Sequence, residues 1–86
     1  MRQVERVQTG VRVERRILKV SKALAEMLGM SLGELLEGVL LHSFEGRQPF
    51  GPETLRKITQ LRDAYGLELT AEDSHKLAEG GDDGRG

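Results

Sequence analysis

The sequence predicts a mainly helical fold: one short N-terminal strand paired across a homodimer, two helices, and two additional C-terminal helices. Three observations predict it. The stretch "QTGVRVERRILKV", residues 8–20, alternates apolar and polar residues through Val13 and then loses the alternation. From there apolar residues recur every three or four positions, which is the spacing of one helix face. No second stretch of the 86 residues reads convincingly as a strand, so the partner of the first must come from another copy.

In the strand, Val11 and Val13 alternate with Gly10, Arg12 and Glu14. A two-fold axis would pair two copies antiparallel around Thr9 to Val11. The first helix follows from the stripe Ile17, Val20 or Ser21, Leu24, Leu28, and runs from about residue 15 to residue 28, where Gly29 stops it. A rival reading extends the strand through Val20 and begins the helix after Ser21 as N-cap. The second helix, 32 to 44, is the clearest element. Ser31 and Glu34 form a capping box, and Leu32, Leu35, Leu36, Val39, Leu40 and Phe44 recur at helical spacing before Gly46. Gly38 inside it favours close approach of another backbone, at a cost of about 1 kcal/mol relative to alanine. "GRQPFGP" is a break, and Pro52 opens a third helix with the stripe Leu55, Ile58, Leu61, Tyr65, closed by Gly66. Thr70, with Asp73 three residues on, caps a last short helix. The expected organisation is a core over 1–46, a helical extension over 47–78 and a disordered tail over 79–86, "EGGDDGRG", which has almost no apolar content.

Composition narrows the function. A chain this short builds a thin core and often gains stability by association. Without cysteine there is no disulfide or thiolate site, and His42 and His75 lie far apart, so no metal or cofactor is expected. No apolar run reads as a signal peptide or a membrane span, and a cytoplasmic protein is expected. Ser43 beside His42 cannot act as a catalytic pair, because adjacent helix residues do not face each other, so no enzyme is expected. The net charge of −1 hides a strong asymmetry. Residues 1–22 carry Arg2, Arg6, Arg12, Arg15, Arg16, Lys19 and Lys22 against Glu5 and Glu14, a balance of +5. Residues 23–52 and 53–86 each stand at −3. A basic segment of this kind is either a solvated face or a surface for phosphates.

Over residues 7 to 45 the chain resembles the ribbon-helix-helix family, the MetJ and Arc type of repressor. The matching parts are "QTGVRV" for the strand, "ERRILKVSKALAEML" for the first helix, "GMS" for the turn and "LGELLEGVLLHSF" for the second helix. The resemblance implies a homodimer whose antiparallel ribbon enters the major groove of double-stranded DNA, as in transcriptional repressors. It places Gln8, Gly10 and Arg12 toward the bases; arginine suits guanine and glutamine suits adenine. It places the amides around Ser31 and Leu32 on a phosphate, where the helix dipole helps. Arg6 and Arg15 are expected on further phosphates. The dimer core would comprise Val11, Val13, Ile17, Leu24, Leu28, Leu36, Val39, Leu40 and Phe44. Pairing of dimers on DNA is compatible with this arrangement.

The sequence departs from the family pattern at Gly10, which offers no side chain, and at Met30, where basic or polar residues are common. Two rival functions follow. One is an antitoxin whose residues 53–78 bind a toxin as protein partner. The other is a protein-protein interaction module without DNA binding, which Gly10, Glu14 and the net negative charge favour.

Overall fold

The computed structural model describes residues 2–78, and the tail expected over 79–86 lies outside them. Three helices appear in order: α1 over Arg15–Met27, α2 over Leu32–Phe44 and α3 over Pro52–Tyr65, followed by a single 3₁₀ turn over Ala71–Asp73. α1 packs against both α2 and α3.

The expected ribbon is absent. Among the described residues there is no strand and no sheet, and residues 2–13 form neither helix nor strand. The ribbon-helix-helix fold class is corrected accordingly, to a three-helix fold with an irregular N-terminal arm. The physical reason is the missing neighbour. A strand is held by its neighbour's amides and carbonyls, and nothing among the described residues offers an edge to residues 8–13. Val11 and Val13 remain exposed on the arm. The expected fourth helix is also reduced, to one 3₁₀ turn, where the Asp73 carboxylate accepts from the Thr70 amide at 2.8 Å.

The helices themselves follow local rules. α1 begins at Arg15 because Glu14 acts as its N-cap, its carboxylate accepting from the amides of Arg16 and Ile17. Ser21 lies inside this helix and its hydroxyl donates to the Ile17 carbonyl at 2.8 Å, which removes the reading of Ser21 as a cap. α1 ends at Gly29, whose φ of +72° is open to glycine and costly for other residues. The Gly29 amide then reaches the Glu26 carbonyl and the Met30 amide reaches the Ala25 carbonyl, the paired bonds of a Schellman turn. α2 has the full capping box, with the Glu34 amide donating to Ser31 Oγ at 3.1 Å and the Ser31 amide to Glu34 Oε1 at 2.9 Å. α3 closes in the same way as α1, with the Leu67 amide on the Arg62 carbonyl; Leu67 is thereby folded inward and buried.

The core is thin. Val20, Leu24, Ala25, Leu35 and Leu67 are its buried side chains among the described residues. Leu28, Met30, Val39, Phe50, Ile58 and Leu61 pack partly buried around the Leu24, Ala25 and Leu35 cluster. The core of one chain thus takes Leu24, Leu28 and Val39 from the expected dimer set and leaves six members uncovered: Val11, Val13, Ile17, Leu36, Leu40 and Phe44.

Gly38 carries no close approach within the chain, because a methyl group placed there would meet nothing within 4 Å. Gly38→Ala is therefore expected to stabilise the chain by about 1 kcal/mol through helix propensity and reduced freedom of the unfolded state. Thermal unfolding followed by circular dichroism should show a rise of roughly 4–8 °C. A fall instead would mean that another backbone packs on Gly38 in solution.

Candidate nucleic-acid interface

The basic N-terminal segment spans two kinds of structure. Residues 2–13 form an exposed arm, and residues 15–22 form the first half of α1. Gln8, Gly10 and Arg12, the residues expected to meet bases, all lie on the arm and are all exposed.

Arg6 ties the arm to α2. Its Nε donates to Glu37 Oε2 at 2.8 Å and its Nη2 donates to Glu37 Oε1 at 2.9 Å, a two-pronged contact across 31 positions of sequence. The fork geometry gives this pair direction as well as charge. The hydrogen bond from Arg6 holds the Glu37 carboxyl below its ordinary range, and the same bond raises the Arg6 guanidinium above its own. Both side chains remain largely exposed, so the contact restrains the arm only lightly and salt screens it.

At the start of α1 the charges interlock. The Ile17 amide, the Arg16 side chain and the Arg16 amide all lower the Glu14 carboxyl, against the opposing effect of partial burial. Glu14 is thus ionised at the helix N-terminus, where the dipole favours it. Arg16 bonds the same carboxylate at 3.2 Å and also donates from Nη1 to the Gly66 carbonyl at 3.1 Å, at the C-terminal end of α3. A guanidinium there complements the negative end of that helix. From the sequence alone Glu14 counts only as a negative charge that disfavours DNA binding. Its position directly before the first residue of a helical period was the signal that it could cap.

Arg15, Arg16 and Lys19 surround a shallow polar depression together with Glu14, Ala64 and Tyr65. Ser31 and Leu32 are not part of it. They lie at the far end of α1, which at 1.5 Å per residue is about 20 Å long. The Ser31 amide and hydroxyl both serve the capping box, and the Glu34 carboxylate sits at that helix start. The residues expected on phosphates therefore fall into two groups: Arg15 at the start of α1, and Arg6 with Ser31 and Leu32 near the first half of α2.

α2 presents a second notable surface. Leu36, Leu40 and Phe44 stand one turn apart on its outer side and are 44%, 51% and 76% exposed, while Leu35 faces the core. A helix apolar on both sides is the mark of an element buried on both sides.

Among the described residues, no group of three or more histidine, cysteine, aspartate or glutamate side chains could hold a metal ion. No helix there is long and apolar enough to cross a membrane. No family model matches this chain, and neither a curated protein nor a solved structure matches it.

Proposed function

We propose that this chain is a DNA-binding regulator that acts as a homodimer. The observation that carries this reading is the charge of residues 1–22, +5 in a chain of net −1, displayed on an exposed arm and the open side of α1. Phosphates reward such a concentration of cations through released counterions, whatever the base sequence. Gln8 and Arg12 on the arm have the chemistry to bond base edges. Arg15 and the Leu32 amide at the start of α2 would position the chain on the backbone, since Arg6 is engaged by Glu37 and Ser31 by the capping box. The homodimer rests on the outer stripe of α2, because an apolar row of this length left in water favours association.

The test is fluorescence anisotropy with a pool of random-sequence duplexes at about 50 and about 200 mM salt. Several phosphate contacts predict an affinity loss of about a thousandfold or more across that range. Absence of binding at the lower salt, even at high protein concentration, would sink the reading.

A second reading is a protein-binding module, including an antitoxin whose residues 53–78 engage a toxin. The same α2 stripe supports it, since a different protein could cover Leu36, Leu40 and Phe44 as a second copy would. A monomer that also fails to bind DNA would favour this alternative.

A further inference from the structure

The geometry points to the outer face of α1, formed by Arg15, Lys19 and Lys22, as the surface that follows the phosphates of one DNA strand. This deepens the DNA-binding reading and rests on it. The sequence contains seven cations before residue 23 and does not say which are available. The structure sorts them. Arg6 is engaged by Glu37, and Arg16 by Glu14 and the Gly66 carbonyl. The side chains of Arg15, Lys19 and Lys22 make no hydrogen bond or ion pair among the described residues. All three are exposed.

Their spacing, i, i+4 and i+7, puts them in one row along the helix. The row is about 10 Å long at 1.5 Å per residue. A single DNA strand presents about three phosphates over that axial length. Glu26, one turn beyond Lys22, ends the row. At its other end the Glu14 carboxylate is committed to the helix amides and to Arg16, and Tyr65 borders the depression with its side chain partly exposed. A phenol at that edge has a hydroxyl to give to a phosphate.

The opposite side of α1 supplies rigidity. Val20, Leu24 and Ala25 are buried there against the rest of the core. This also argues for DNA over a lipid surface. A helix that lies in a membrane inserts its apolar face, and the centre of that face on α1, Val20, Leu24 and Ala25, is already buried.

The experiment compares wild type with the triple variant Arg15→Gln, Lys19→Gln, Lys22→Gln. Glutamine keeps helix propensity at these exposed sites, and circular dichroism verifies that both chains fold. Binding to a random-sequence duplex is measured over a range of salt. If each residue neutralises one phosphate, the log–log salt slope should become shallower by about 2.7 for each chain bound, and by about twice that for the homodimer, with weaker binding to all sequences alike. A control triple, Arg56→Gln, Lys57→Gln, Lys76→Gln, removes the same charge elsewhere and should leave the slope near wild type. Unchanged slope in the α1 triple, or an equal change in the control, would overturn the inference while leaving the DNA reading in place. A wild type that binds no duplex at low salt would remove the DNA reading itself, and the inference with it. Loss of binding by the α1 triple to phosphatidylserine vesicles, with duplex binding intact, would reassign the row to a membrane surface.

Discussion

In the proposed homodimer, replacing Leu40 with aspartate is expected to leave a folded chain with self-association largely lost. Leu40 is half exposed in the single chain and stands outside the buried cluster, so the change costs the monomer little beyond helix propensity. In a dimer the same position would be covered. Two losses then combine: the apolar contact of leucine, and the penalty for taking a carboxylate out of water without a partner. A two-fold interface repeats both losses, once for each copy. The dissociation constant should rise at least about a hundredfold, equivalent to about 2.8 kcal/mol. Sedimentation equilibrium of wild type and variant measures it directly. A wild type that stays monomeric at concentrations near 100-fold above the DNA-binding range would remove the homodimer from the proposal. A Leu40→Asp variant that dimerises as well as wild type would place the interface elsewhere.

Leu24→Ala is expected to abolish cooperative folding near physiological temperature. Leu24 is 4% exposed and lies at the centre of the cluster with Ala25 and Leu35. Truncating a buried leucine to alanine costs about 2–5 kcal/mol, from the lost transfer energy and the cavity left behind. Typical stability is about 0.05–0.15 kcal/mol per residue, or roughly 4 to 13 kcal/mol for a chain of this length. Five buried side chains among the described residues argue for the lower half of that range. The cavity therefore consumes most of the available stability. A thermal melt should lose its sigmoidal transition or shift down by well over 10 °C. A shift under about 4 °C would show that the surrounding side chains collapse onto the gap, or that dimerisation supplies most of the stability.

These two leucines show where reading the sequence stops. Both stand at helical spacing among apolar neighbours, and both belong to the dimer core that the family resemblance implies. The sequence by itself determined where the helices run. Glu14, the Ser31 and Glu34 box, Gly29 and Gly66 act within four or five residues, so the start and end of α1, α2 and α3 need no distant information. It also determined that the cations are concentrated at the front. Tertiary structure decided which apolar row faces inward. α2 carries two such rows, and only the position of α1 makes Leu35 a core residue and leaves Leu40 at the surface. Tertiary structure likewise decided the fate of residues 8–13, because strand pairing depends on a neighbour and their alternating pattern cannot supply one. It chose among the cations for the same reason. Glu37 lies 31 positions from Arg6, and the Gly66 carbonyl lies 50 from Arg16, distances over which only the folded chain can bring a guanidinium and its acceptor together.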